Sequence, residues 1–340
     1  MKRIAVLLPN WLGDAVMCTP AIRALHRRFP QAEITAVGLQ ASCDLVEGLP
    51  YTSRRIVVPL RVGLAAMLRV ARSIGPYAGD LAVIFPHSFR AALLAFLSRA
   101  RRRVGYARDR RSFLLTDPVQ PAVQDGRIQP VYMVREYLGL VSGLGCQDDG
   151  LGPELHTEPE SIDQVRRRVA GTGPLVGIAP GAAFGPSKQW PVDRFAALAD
   201  RLHEVFKARC VILTGPGEKD TRKALLDTAR YPLLSYDEGN PSIRLLKALA
   251  AQLDLLICND SGPRHVAVAF RVPVVCIMGP TSPLYSEGPY ERGERIRIEV
   301  DCGPCQKPVC ETDHRCMTGI SVERVFAAAE KYLPRCPTGL

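Results

Sequence analysis

"RIAVLLPNWLGDAVM", residues 3–17, is the stretch that decides how this chain folds. Ile4, Ala5, Val6, Leu7 and Leu8 form an unbroken apolar run of strand length; the chain then turns through Pro9, Asn10, Trp11 and Gly13 into a helical period. A strand that is apolar at every position, rather than every second one, is covered on both faces. A parallel sheet between two layers of helices makes that demand, and a turn from strand into helix is its repeating joint. Asp14 stands at this joint. As an acid at a helix start it can serve as a cap, but capping gives no reason for Asn10, Trp11 and Gly13.

The same alternation runs the length of the chain. Strand-like runs at 3–8, 33–38, 54–59, 80–85 and 102–106 are separated by helical periods at 15–29, 62–74 and 89–98. A polar stretch rich in Gly and Pro, 148–159, reads as a linker, and the pattern restarts beyond it. There the strands are 175–180, 210–214, 233–236, 253–259 and 272–278, with helices at 192–206, 219–230, 243–251 and 264–270. At 340 residues the chain suits two domains better than one. The expected fold class is therefore α/β, with two doubly wound domains facing each other across a cleft, residues 1–155 and residues 156–320, followed by an amphipathic helix and tail, 321–340, which the family resemblance given below implies packs back on the first domain. With 47% hydrophobic residues and no apolar run near the ~20 needed to span a bilayer, disorder and a membrane-spanning helix are both excluded. Pro9, Trp11 and Asp14 interrupt the N-terminal apolar stretch before a signal-peptide core can form, so a cytoplasmic location is expected.

In such sheets ligands sit beyond the carboxyl ends of the strands, which directs attention to the loops. "CNDSGPRHVAVAF" (258–270) ends a strand, offers Asp260 and Ser261, lets backbone approach at Gly262, and enters a helix whose first turn carries His265. A helix start presents unpaired N–H groups to an anion such as a diphosphate; the competing reading is that Asp260 or Ser261 merely caps the helix. "APGAAFGPSKQWP" (179–191) is glycine-rich without being a dinucleotide fingerprint or a Walker loop. Gly181 and Gly185 shape it, and Lys188 projects from it as a point charge suited to phosphate. "LTGPGEKD" (213–220) places Glu218 or Asp220 where a carboxylate can accept ribose hydroxyls, or where it simply complements a helix N-terminus.

Together "PNWLGDAVM", "PGAAFGPSKQWP" and "NDSGPRHVAVAFRVPVVCIMGPTSP" resemble glycosyltransferase family 9, the bacterial lipopolysaccharide heptosyltransferases, over essentially the whole chain. The Asn-Trp-Leu-Gly-Asp opening is most similar to the heptosyltransferase II type. The resemblance implies a GT-B fold of two facing Rossmann-like domains. It implies inverting transfer of heptose from ADP-L-glycero-D-manno-heptose to the lipopolysaccharide inner core, with no cofactor required for catalysis. It also implies roles: Asp14 as catalytic base, Lys188 on the donor phosphates, and Gly181, Glu218, Asp260, Ser261, Gly262 and His265 around the donor. Asn10, Trp11, Gly13, Arg61 and Arg108 are the candidates for contact with a lipid A–core saccharide.

Charge supports an anionic acceptor. Residues 1–155 hold 20 Lys+Arg against 12 Asp+Glu, a net +8, which leaves only +2 of the chain's +10 for the remainder. Thirteen arginines lie between Arg54 and Arg111, with Asp80 and Asp109 the only acids. Arginine suits carboxylate and phosphate, and such a face fits an acidic saccharide and peripheral contact with an anionic inner leaflet. Aromatics there are too sparse for a stacking platform, which argues against nucleic acid. The alternatives are a GT-B enzyme using another nucleotide sugar or acceptor, a sugar-nucleotide epimerase, and, from another class, a basic nucleic-acid-binding protein. Of the eleven cysteines, Cys18, Cys43, Cys146, Cys210, Cys258 and Cys276 fall in apolar segments and read as reduced core thiols. Cys302, Cys305, Cys310 and Cys316, with His314 among them, have the spacing of a structural zinc site; unligated thiols or a disulfide are the other readings.

Overall fold

The computed structural model describes residues 1–60, 63–237 and 242–334. It divides into two compact units. One comprises Met1–His156 with Leu284–Ser286, the other Thr157–Pro283 with Glu287–Leu340.

The first unit is built on six strands: β1 (Arg3–Leu7), β2 (Glu33–Gly38), β3 (Arg54–Val57), β4 (Leu81–Ile84), β5 (Arg102–Tyr106) and β6 (Asp117–Val119). A two-stranded hairpin, β7 (Val123–Gln124) with β8 (Arg127–Ile128), follows. The second unit has β9 (Leu175–Ala179), β10 (Arg209–Ile212), β11 (Leu234–Ser235), β12 (Leu255–Asn259), β13 (Val274–Ile277) and β14 (Gly293–Ile296). The sheet orders are β3-β2-β1-β4-β5-β6 and β11-β10-β9-β12-β13-β14, and every pairing in both is parallel. The second sheet thus repeats the topology of the first. Each reverses direction once, between β1 and β4 and between β9 and β12, and that reversal is where a doubly wound sheet opens a crevice for ligands.

The central strands are buried at every position, as their unbroken apolar runs require. Helices cover both faces. On one face of the second sheet, Val176, Ile178, Ile212, Ile257 and Ile277 pack against Phe195, Leu198, Leu202 and Phe206 of the helix Val192–Phe206.

Several expectations need correction. The helical period at 15–29 is two helices, Leu12–Met17 and Thr19–Arg28. Pro20 has no N–H to continue the first, and the Thr19 hydroxyl bonds the Val16 carbonyl at the break. The last helix, Val322–Glu330, belongs to the second unit, and the tail from residue 335 lies outside the described residues. Its Val325, Phe326, Ala328 and Ala329 lie in the core of the second, and Phe326 stacks near Phe206 at 5.9 Å. The apolar stripe finds its partner on the neighbouring helix of its own unit. Nor is residues 148–159 a free linker. Arg23, itself buried, donates to both Asp149 oxygens at 2.6 and 2.7 Å and to Glu154 at 2.6 Å, and the Tyr51 hydroxyl also reaches Glu154 at 2.6 Å.

Candidate functional site

The switch point of the second sheet brings together the loops that carry the donor-side candidates. Asp260 follows the last residue of β12 and is buried. Its Oδ2 accepts from Lys188 Nζ at 2.6 Å and from the Thr281 hydroxyl at 2.9 Å, while Oδ1 accepts from Arg264 Nη1 at 2.7 Å. Arg264 is held in turn by Glu291, with contacts of 2.9 and 2.6 Å. The cations beside Asp260 keep its carboxyl below the usual carboxylate range although burial alone opposes this. Two cations and two anions therefore close on each other, and Asp260 faces its partners rather than a ligand. It fixes Lys188, which also bonds the Asp260 carbonyl at 3.1 Å and lies 5.2 Å from the Phe184 ring. An ammonium has three donors, and these bonds take two.

The loop bearing Lys188 is anchored on both sides. Trp190 is fully buried, its N–H reaching Asn259 Oδ1 at 3.1 Å and its indole N–H the Ile320 carbonyl at 2.9 Å. Asn259 Nδ2 donates to the Pro180 carbonyl at 2.6 Å, so one amide ties the end of β12 to the loop after β9. On the other side Ser187 bonds Lys307 and Pro308.

Beside this network the helix Gly262–Ala269 begins, with Ser261 at its N-cap in extended conformation. The Ser261 side chain does not cap it; its hydroxyl oxygen is buried and has no hydrogen-bond partner among the described residues. His265, one turn in, is buried, and desolvation with Arg264 alongside pulls its pKa down to about 3, so the imidazole is neutral. Glu218 is half-buried and its Oε2 accepts from the Gly215 N–H at 2.7 Å. Its carboxylate presses on Gly181, where an added Cβ would lie 1.9 Å from Oε1. Asp220 is exposed in the first turn of the helix Lys219–Thr228, so of the two acids Glu218 is the one at the strand ends.

In the first unit, Asp14 is the third residue of the helix Leu12–Met17; the N-cap is Trp11, which makes no side-chain cap. Asp14 is half-buried, and its charge adds to burial in raising the Tyr137 hydroxyl and the Cys18 thiol. The preceding loop is pinned where the Ser42 hydroxyl donates to the Pro9 carbonyl at 2.6 Å. Gly13 is buried, Asn10 and Trp11 are exposed, and Asn10 lines a cavity of about 80 Å³ with Leu8, Leu60, Pro86, Ser88 and Arg90. Arg61 lies outside the described residues. Arg108 follows β5 and contacts His87 Nδ1 at 2.9 Å and Glu136 at 3.1 Å, while His87 Nε2 is 2.8 Å from the same Glu136 oxygen. Sequence reading missed Asn259, Arg264, Thr281, Glu291, His87 and Glu136. Only Arg264 left a signal, as a cation in the first turn of the helix that follows Asp260.

Some of these arginines are spent on the protein itself. Arg111 is fully buried and donates to the Tyr106 and Ser88 carbonyls, Arg103 to those of Leu114 and Ala100, and Arg102 pairs with Asp117. The six core cysteines are buried free thiols. Cys302, Cys305, Cys310 and Cys316 are also free and line one cavity with His314, but no group of three or more ligand-type side chains among the described residues is positioned to hold a metal.

The family model of glycosyltransferase family 9 (heptosyltransferase) matches residues 67–315, most of the chain. The chain belongs to glycosyltransferase family 9. It is 27% identical to lipopolysaccharide heptosyltransferase 2 of Escherichia coli over 95% of this chain and 96% of that one. Two solved structures share the fold at 24% identity: a family 9 glycosyltransferase of Veillonella parvula, with a TM-score of 0.87 and 97% of both chains covered, and E. coli ADP-heptose lps heptosyltransferase II, with a TM-score of 0.79 and 98% of both chains covered. This family 9 member is therefore a glycosyltransferase of the GT-B class. No helix among its described residues is long and apolar enough to cross a membrane.

Proposed function

We propose that this enzyme transfers heptose, with inversion, from ADP-L-glycero-D-manno-heptose to the inner core of lipopolysaccharide. In a single displacement the acceptor hydroxyl attacks the anomeric carbon on the face opposite the nucleotide. Its proton passes to a base, and the bond from that carbon to the diphosphate breaks with its electron pair leaving on ADP. Asp14 is the base. Lys188 and the start of the helix Gly262–Ala269 stabilise the leaving diphosphate, and Glu218 accepts the ribose hydroxyls. Asp260 acts through Lys188, which it positions, and His265, being neutral, adds no charge to the site. The transfer as written needs no metal or organic cofactor. Arg108, with Asn10, Trp11, Gly13 and Arg61, receives the acidic acceptor, and the exposed arginines of the first unit allow peripheral contact with an anionic leaflet.

The observation that carries this reading is the Ser261 hydroxyl. It is buried at a helix start, beside an anchored lysine, with no protein partner among the described residues. A buried hydroxyl left unpaired is costly, and a diphosphate oxygen at the helix N-terminus supplies the missing partner.

The test is ADP release from ADP-heptose with Kdo–lipid A or heptosyl-Kdo–lipid A, comparing wild type with Asp14→Ala and Lys188→Ala. Acceptor-dependent release that falls by on the order of a hundredfold or more in each variant supports the reading. An enzyme that binds ADP but turns over neither acceptor overturns the substrate assignment; undiminished turnover in Asp14→Ala overturns the base.

A further inference from the structure

We propose that the outward face of the helix Phe89–Leu97, with the aromatic and arginine side chains around it, is the surface by which this enzyme docks on an anionic lipid bilayer. Arg90 is the one polar residue of that helix, and it is spent: it folds back to donate to the Pro59 carbonyl at 2.9 Å and to the Leu60 carbonyl. On the inward face Ala92, Leu94 and Ala95 are buried in the core of the first unit. A helix that is apolar all round belongs in an interior, yet the other face of this one lies at the surface. Phe89, Leu93 and Phe96, spaced i, i+4 and i+7, form a single stripe along it. Phe89 is 43% and Phe96 46% exposed, with Leu93 half-buried between them. Phe113, 73% exposed, extends the stripe at its start, its ring 6.1 Å from that of Phe89.

The charge around the stripe is strongly positive. Between Arg54 and Arg111 the only acids are Asp80 and Asp109, and Asp80 is taken up by the backbone N–H groups of Lys2 and Arg3 at 2.6 and 3.1 Å. At the end of the helix a cavity of about 630 Å³ lies against the helix Leu64–Ile74, lined by Leu68, Arg72, Phe96, Leu97, Arg99 and Arg103 among others, and no acid lines it. The Arg103 guanidinium lies 5.4 Å from the centre of the Phe96 ring, held by the Ala100 and Leu114 carbonyls at 2.6 and 2.7 Å. Arg72 and Arg99 are exposed. At the start of the helix Arg110 is exposed three residues before Phe113.

Exposed aromatic rings flanked by arginines suit a bilayer interface. The rings enter the boundary between headgroups and acyl chains, and the guanidinium groups stay with the lipid phosphates. A second copy of the chain is a poorer occupant, because it would set the same arginines against each other. The place of the helix also suits a lipid-anchored acceptor. Ser88, which caps its start, and Arg90 line the same cavity as Asn10, at the carboxyl ends of the strands. Docking by this face holds that end of the first sheet near the membrane plane, where such a saccharide presents its hydroxyls. The peripheral contact proposed above thereby gains a location and an apolar component. The surface is testable without substrate, whereas its service to the acceptor rests on the proposed function.

Flotation of the full chain with vesicles of equal parts phosphatidylethanolamine and phosphatidylglycerol is expected to show binding that is absent with phosphatidylcholine. Phe96→Ser combined with Phe113→Ser, and Arg72→Gln combined with Arg99→Gln, are each expected to lower the partition coefficient about tenfold, with Tm and ADP affinity unchanged. Phe113→Trp is expected to show more fluorescence quenching by brominated acyl chains than the wild type does. With heptosyl-Kdo–lipid A carried in the same vesicles, the doubly substituted Phe variant should lose turnover about as much as it loses binding, and keep it on the deacylated saccharide. Vesicle binding that follows this pattern in an enzyme that turns over neither acceptor supports the surface while removing the proposed substrate. No binding to the anionic vesicles, equal binding to phosphatidylcholine, or binding that survives both double substitutions overturns the surface. A dimer that Phe113→Ser dissociates also overturns it, since the occupant is then a second copy.

Discussion

At the residue scale, Gly181 and Glu218 constrain each other. A methyl group at 181 would overlap the Glu218 carboxylate and push it off the Gly215 N–H. Gly181→Ala is therefore expected to weaken ADP binding about as much as Glu218→Ala does, measured by calorimetry; a wild-type Kd in Gly181→Ala would remove Glu218 from the nucleotide site. His265 makes a second prediction. Burial and Arg264 hold its folded pKa down to about 3, whereas an unfolded histidine titrates near 6.5. Between those values the unfolded state binds a proton that the folded state refuses. Stability from the neutral ring is thus complete above about pH 6.5 and declines as pH falls toward 3. Asp149 and Asp260, both held low by their cationic partners, add a loss in the same direction only below about pH 4. Thermal melts of His265→Gln should lose the decline between pH 7 and 5 and keep the one below 4. Parallel profiles for variant and wild type would show that His265 is not the group responsible.

At the scale of elements, the connection after the first sheet is fastened by charge. Arg23 on the helix Thr19–Arg28 is 8% exposed and grips Asp149 and Glu154. Removing Arg23 leaves Asp149 with only the exposed Arg27 as a charged partner and Glu154 with only the Tyr51 hydroxyl, at a cost of about 2 kcal/mol. Arg23→Met should lower the denaturation midpoint accordingly and expose the 149–155 backbone to hydrogen exchange; an unshifted midpoint would mean the pair contributes nothing net. This clamp was invisible in the sequence because Gly, Pro and acids in a row carry the composition of a free linker, and their partner is 126 residues away. The central strands were legible for the opposite reason: burial on both faces writes itself as a continuous apolar run. The edge strands β6 and β14 were not, since Asp117–Val119 contains a proline and Gly293–Ile296 two charged residues, as a strand paired on one side permits. Among the candidate residues, the places of Asp14 in the first unit and of Lys188 and Ser261 in the second, each in a segment that follows a strand, were legible in the sequence. The service of Asp260 to Lys188 was not, because carboxylates that bind a ligand and carboxylates that bind a lysine look alike in sequence.

At the scale of the whole molecule, charge is distributed by unit and so is its expected effect. At the loops proposed to hold the donor, Lys188 and Arg264 are matched by Asp260 and Glu291 within hydrogen-bond distance, so little long-range field remains there. Residues 1–155 hold most of the excess charge. Although Arg111 is absorbed internally, Arg103 is turned onto backbone carbonyls and Arg102 is paired with Asp117, Arg54, Arg99, Arg101 and Arg110 stand exposed. Interactions of exposed charges are screened over about 8 Å at physiological ionic strength and about 3 Å at 1 M, whereas close buried pairs are screened far less. Raising salt should therefore weaken capture of an acidic acceptor much more than binding of the nucleotide. Steady-state kinetics with ADP-heptose and a Kdo-bearing acceptor across a salt series are expected to show KM for the acceptor rising several-fold, with KM for the donor nearly constant and kcat little changed. The two KM values rising together would assign the field to the donor loops instead, and a salt-independent acceptor KM would mean that the arginines of the first unit serve only its interior.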